Sequence, residues 1–283
     1  MLEKLRLWSS LVRLSHTVFA LPFALSGLLI GSGGLPRLPV LLLVLGCMVT
    51  ARNAAMAWNR LMDRDIDVLN PRTRVRHLPA GLVSPRAVAF FVVANALLFI
   101  LLAGLLNRLC LWLSPLALFL VLGYTQTKRF TSLCHVFLGL AIGISPLAAS
   151  LAASGHFHTA PILLGLALLL WMTGFDIIYA TQDEDADRQL GLHSIPARLG
   201  RARSLRLSAV LHLLVPCLLW ITGRLQGWSL VWTGVCVGIA GLLAWMHLWR
   251  TGDDLSMQDG FFKANALVSL VVLAGTFWET VLR

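Results

Sequence analysis

Residues 52–76 read RNAAMAWNRLMDRDIDVLNPRTRVR. An apolar run that begins near Pro39 carries into Asn59, Asp63 and Asp67, spaced i, i+4 and i+8. On a helix, residues so spaced stay within about 80° of one another and cover about 12 Å. The spacing predicts a hydrophobic helix that ends in a stripe of oxygen ligands. A basic loop follows at once, with Arg60, Arg64, Arg72, Arg74 and Arg76 inside 17 residues. Acidic oxygens beside clustered guanidinium groups suit a divalent cation together with a phosphate-bearing ligand. Arg52 lies seven residues before Asn59, on the same helix face and about 10 Å deeper. At that depth an arginine calls for an anionic partner or a polar cavity.

The rest of the chain says what solvent this helix lives in. Of 283 residues, 58% are hydrophobic and only 13% charged, with a mean hydropathy of +0.79. Soluble domains carry about 25% charged residues, so the fold class expected is an all-α integral membrane protein. Nine apolar segments are long enough to cross a hydrocarbon core of about 30 Å. They run over about 10–32, 39–62, 85–106, 108–124, 132–154, 160–182, 204–223, 229–249 and 261–281. They predict one transmembrane domain over 1–283, nine helices around a central cavity. No polar mature chain follows the first segment, so no cleavable signal peptide is expected. Cys47, Cys110, Cys134, Cys217 and Cys236 are scattered without a CxxC and read as reduced packing residues.

The net charge of +10 has a direction. With the N-terminus inside, eighteen Lys and Arg fall on the inner side and four on the outer, at Arg37, Arg108, Arg224 and Arg283. This asymmetry predicts a multi-pass protein of the cytoplasmic membrane with its acidic stripe at the cytoplasmic face. It is a topology signal, and gives no reason to expect a nucleic-acid partner. Arg13 reads as a snorkelling interfacial anchor.

A second acidic stretch completes the pattern. Residues 175–200 read FDIIYATQDEDADRQLGLHSIPARLG, in which Asp176, Asp183 and Asp187 share a helix face. Eight of the thirteen acidic residues lie in these two stretches. Asp176 sits two turns inside the membrane, at a depth like that of Arg52. Between the two stretches, GYTQTKRFT (123–131) places Tyr124 and Lys128 at i and i+4 on a helix end. Asp253, Asp254 and Asp259 fall on no stripe and read as loop charges.

Mg²⁺ takes one or two carboxylates and shares its other positions with water and substrate phosphates. Two stripes at one membrane face therefore suit two Mg²⁺ ions around one diphosphate, with Lys128 and the loop arginines Arg72 and Arg74 as further phosphate donors. Such a site favours departure of diphosphate from an allylic carbon, while a long isoprenoid tail stays among the helices.

In these residues the chain resembles the UbiA-type intramembrane aromatic prenyltransferases, over nearly its whole length. Asn59, Asp63 and Asp67 resemble the family's first aspartate-rich motif, with Arg60 where an aspartate is usual. Asp183 and Asp187, inside DxxYAxQD (176–183), resemble the second, and Tyr124 with Lys128 the YxxxK signature between them. The resemblance implies a nine-span helical fold, Mg²⁺ dependence, and transfer of a polyprenyl chain from its diphosphate to an aromatic ring. Asn59, Asp63, Asp67, Asp183 and Asp187 would then hold metal, and Tyr124 and Lys128 the diphosphate. HTVFALPFA (16–24) and GLHSIPARLG (191–200) look like the 4-hydroxybenzoate polyprenyltransferase-like branch.

At the depth of the deep pair, Arg52 is expected to hold an acceptor carboxylate and Asp176 to orient the ring hydroxyl or stabilise the allylic cation. A plain buried ion pair between the two is the structural alternative. Two aromatic acids fit an arginine equally, 4-hydroxybenzoate for ubiquinone or 1,4-dihydroxy-6-naphthoate for menaquinone. From another class, an ion-coupled transporter would place its polar chemistry near the midplane on broken helices in repeated halves. Here it lies at one face.

Overall fold

The computed structural model describes residue 11 and residues 20–70, 73–248 and 255–283, with backbone alone for 255–262. Arg13, His16, Trp249, Asp253 and Asp254 lie outside these residues, as does the side chain of Asp259. Every regular element among the described residues is helical.

Helix α1 spans Ala20–Ser32, and α2 runs Leu38–Met62 with a short α3 at Arg64–Leu69. Next come α4 (Pro85–Leu106), α5 (Arg108–Thr127), α6 (Cys134–Gly143) and α7 (Ser145–Ser154). Then α8 (Thr159–Ala180) passes through a 3₁₀ turn at Thr181–Asp183 into α9 (Glu184–Gln189) and α10 (Ile195–Leu199). The chain closes with α11 (Arg201–Leu225), α12 (Leu230–Leu248) and α13 (Leu255–Phe277), the last running into a π turn at Trp278–Leu282. Eight helical stretches among the described residues are long and apolar enough to span a membrane, counting α6 with α7 and α8 with α9. Of the expected first span, 10–32, the described part is residue 11 and the thirteen-residue α1. The count of nine therefore stays an expectation.

Helix boundaries follow local chemistry. Ser84 caps α4 by accepting from Ala87 N at 3.3 Å, with Pro85 at the first helical position, where its missing N–H costs nothing. At Pro146 the absent N–H and the ring break the fifth span into α6 and α7, joined through Ile144. A single extended residue, Asn107 (φ −166°), separates α4 from α5. Its Oδ1 accepts from Cys110 N, and its Nδ2 donates to Leu151 O, both at 2.9 Å.

Helices in lipid gain little from burying apolar surface against each other, and pack where small residues let backbones approach. A Cβ built on Gly27 of α1 would lie 2.0 Å from Pro146 O of α7, and one on Gly165 of α8 would lie 2.5 Å from Gly143 O of α6. The largest core cluster gathers Phe23, Trp171 and Trp232 from α1, α8 and α12. Outward-facing side chains are large and apolar, with Phe90 76% and Trp112 77% exposed. That surface fits hydrocarbon, not water.

Candidate active site

One end of the bundle gathers the ends of α2, α5 and α8, with α3, α9 and the loop that leads into α10. Helix α2 stops at Met62, and Asp63 is both its C-cap and the residue before α3. The expected continuous helical stripe is thus interrupted, but its hydrogen-bond ladder is not. Asp63 N donates to Asn59 O at 3.0 Å and Asp67 N to Asp63 O at 2.7 Å. Asn59, Asp63 and Asp67 therefore still project together, and Asn59 Nδ2 donates to Asp63 Oδ2 at 3.2 Å. In the second stretch the helix breaks up more, with Asp183 in the 3₁₀ turn and Asp187 in α9.

Asp63 and Asp67 are buried to 2% and 3% exposure, and each holds a cation. Lys128 Nζ lies 2.6 Å from Asp63 Oδ2, and Arg76 Nη1 lies 2.7 and 2.8 Å from the two Asp67 oxygens. Arg129 donates to Met62 O at 2.6 Å, with the same nitrogen 4.0 Å from Asp63 Oδ1. The two acidic stretches meet where Asn70 Nδ2 donates to Asp183 Oδ1 at 3.3 Å, across 113 residues. Asp187 is within electrostatic reach of Asp183, Lys128 and His135, with the Ser194 hydroxyl near it. The main chain seals the cluster, since His193 N donates to Lys128 O at 2.7 Å.

Below this layer, Tyr124 stands within electrostatic reach of Asp176, Arg52 and Asp63. Arg52 and Tyr124 line, toward that layer, a cavity of about 260 Å³ bounded by α2, α4, α5, α6 and α7. Along α2 it extends from Met56 to Val44, and along α5 from Tyr124 to Cys110. Those are rises of about 18 and 21 Å. Its walls are largely apolar, with many small side chains such as Ala51, Ala55, Ala117 and Ala141. Asp176 does not pair with Arg52. Its Oδ2 takes a 2.7 Å hydrogen bond from His135 Nδ1, so the plain ion pair offered as the structural alternative is absent.

The model of the UbiA prenyltransferase family matches residues 20–270. The chain belongs to this family.

Among UbiA relatives, the 4-hydroxybenzoate octaprenyltransferase of Methylobacillus flagellatus is 30% identical over 286 residues, 98% of this chain and 96% of that one. A UbiA homolog from Aeropyrum pernix K1 has a similar structure, with a TM-score of 0.82, 34% identity, and coverage of 92% of this chain and 96% of that one. A UbiA homolog from Archaeoglobus fulgidus bound to DMAPP and Mg²⁺ shares the fold at a TM-score of 0.76 and 20% identity, covering 95% and 97%.

Membership in the UbiA family raises the question of whether these residues fit Mg²⁺. Among the described residues no three carboxylate, imidazole or thiol groups converge tightly enough to hold a metal alone. Mg²⁺ does not require that, since substrate phosphates and waters fill most of its octahedron. Two observations favour a fit. Asp63 Oδ1 is buried without a hydrogen-bond partner, and both buried carboxylates rest on partly exposed side-chain cations that a metal could replace.

Several residues at this UbiA site carried no readable signal. Arg76 was one of five clustered arginines, and its loop has no periodicity to say that it faces Asp67. Asn70 and Ser194 are ordinary turn residues until folding sets them against Asp183 and Asp187. His135 had a faint signal, as a lone imidazole in the apolar run CHVFLGLAIG. Of the two arginines expected at the diphosphate, Arg74 is exposed and Arg72 lies outside the described residues.

Proposed function

We propose that this protein transfers a polyprenyl chain from its diphosphate to 4-hydroxybenzoate, at the cytoplasmic face of the cell membrane, with its N-terminus on that side. The observation that carries the reading is the apolar cavity lined by Arg52 and Tyr124, the latter within electrostatic reach of the layer of paired carboxylates and cations. An isoprenoid tail fits the cavity, a diphosphate fits the charged layer, and the reacting carbon falls between them. The relative named 4-hydroxybenzoate octaprenyltransferase supports this acceptor over the naphthoate. Family membership and one-sided polar chemistry speak against a transporter.

Asn59, Asp63 and Asp67 would hold one Mg²⁺, and Asp183 and Asp187 a second. Bound there, the ions would stabilise the charge that develops on departing diphosphate. Lys128 and Arg76 would turn from carboxylate to phosphate oxygens, with the Tyr124 hydroxyl, Arg72 and Arg74 alongside. Arg52 would clamp the acceptor carboxylate, and Asp176 would face the ring. The apolar wall of the cavity would keep water from the allylic carbon as it becomes positive, which protects it from hydrolysis.

Purified protein offered polyprenyl diphosphates of graded length with 4-hydroxybenzoate, and separately with 1,4-dihydroxy-6-naphthoate, is the test. Mass spectrometry is expected to show prenylated 4-hydroxybenzoate and free diphosphate, formed only with a divalent ion. Product from the naphthoate alone would refute the acceptor.

A further inference from the structure

The first turn of α6 buries His135 to 3% exposure, and its two ring nitrogens have different partners. The Ile195 backbone N–H donates to Nε2 at 3.2 Å. A nitrogen that accepts carries no hydrogen, so the ring proton sits on Nδ1. From there it is donated to Asp176 Oδ2 at 2.7 Å. Ile195 opens α10 after the N-cap Ser194, and its amide would otherwise be an unsatisfied first-turn donor. A main-chain group therefore fixes the tautomer, and the tautomer fixes one oxygen of Asp176. Oδ1 makes no hydrogen bond among the described residues, and the side chain keeps 28% exposure.

Asp176 lies seven residues before Asp183, about 10 Å deeper along the chain of α8, and within electrostatic reach of Tyr124, which lines the cavity. We propose that Asp176 is the base for the ring proton lost in prenyl transfer, and that His135 is the positioning residue that aims it. This rests on the aromatic-acceptor reading above. As the allylic C–O bond breaks, the electron pair leaves with diphosphate, and the ring attacks C1 to form the new C–C bond. The substituted ring carbon then holds both the prenyl group and its hydrogen, and the ring is cationic. Asp176 Oδ1 takes that proton, the C–H electrons restore the aromatic ring, and the carboxylic acid formed passes its proton to water as product leaves.

A neutral imidazole suits this task, because one hydrogen bond orients the carboxylate without neutralising it. Through Ile195 the same imidazole ties the orientation to the loop that carries Ser194, which adjoins Asp187. Base and metal-binding segment are thereby held in one register.

The test uses the full-length protein with ring-deuterated 4-hydroxybenzoate. Wild type is expected to show little isotope effect, with C–O cleavage limiting. His135→Leu should lose about 10- to 100-fold in kcat, as supporting hydrogen-bond partners commonly do, with the donor KM unmoved. It should also acquire a primary isotope effect as deprotonation becomes limiting. His135→Asn, which keeps a donor at the Nδ1 position, should recover most of the rate and shed the isotope effect. If His135→Leu does not fold, Asp176→Asn supplies the same readout, since its amide oxygen still accepts from His135 but is not a base. A rate loss without an isotope effect, or His135→Asn as impaired as His135→Leu, would overturn the proposal. Wild type silent toward 4-hydroxybenzoate would instead overturn the acceptor reading beneath it.

Discussion

Lys128 Nζ lies 2.6 Å from Asp63 Oδ2 across 65 residues of sequence, joining the end of α5 to the end of α2. The lysine neutralises a carboxylate of 2% exposure while itself remaining 28% exposed. Lys128→Ala should thus act twice. Without metal it leaves a buried charge uncompensated, at a cost on the order of 2 kcal/mol, below the 3–5 of a fully buried pair because water reaches the lysine. With metal, that loss should shrink while the KM for the prenyl donor rises. Thermal melting with and without Mg²⁺, alongside donor and acceptor KM values, checks both; a change in acceptor KM alone would refute the role.

Asp63→Asn and Asp183→Asn each remove a charged ligand from a different stretch. Each should cut turnover by at least about 10²-fold, the scale seen when one stabiliser of developing charge is lost. Both proteins should still fold, because the Asn oxygen still accepts from Asn59 at position 63 and from Asn70 at position 183. Turnover in EDTA at the wild-type rate would show that no divalent ion takes part.

Arg52→Gln should raise the acceptor KM by roughly 10- to 100-fold, the equivalent of one charge-assisted hydrogen bond. An uncharged analogue that lacks the carboxylate should be affected far less. Equal losses for both acceptors would make Arg52 a packing residue.

His77, in the loop between α3 and α4, is held below its ordinary value of 6.5, first by burial and then by the Arg60 guanidinium. The folded chain prefers the neutral ring, so between that lowered value and 6.5 the unfolded chain binds more protons. Its contribution is complete above pH 6.5 and is lost as pH falls through the folded value. Hydrogen exchange of residues 73–84 should quicken on going from about pH 7.5 to about pH 5 beyond the intrinsic trend, and His77→Gln should abolish that excess.

Much of this was legible before folding because membranes impose simple rules. Span lengths, the Ser84-Pro85 start, the Pro146 break and the one-residue turn at Asn107 each have a local cause. The two acidic stretches were legible through helical spacing, and the spacing held even where the helix did not, as at Asp63. What the sequence hid were partners fixed by tertiary approach. The structural alternative paired Asp176 with Arg52 by depth alone, but depth does not give azimuth, and the approach of α6 to α8 brought His135 to Asp176. Arg76 was hidden for a different reason, because loop residues carry no angular register.

The one-residue joint at Asn107 has a consequence for biogenesis. Helices α4 and α5 have no polar stretch between them that could cross the bilayer ahead of either one, and Asn107 leaves no slack for independent tilting. In the proposed orientation the pair must enter as a hairpin, with Arg108 carried at its leading tip. Lengthening this turn with a polar insert would let the two spans insert separately. It would also loosen the anchor on Leu151 that closes the far end of the cavity, so a change made for the translocon would be felt by the isoprenoid tail.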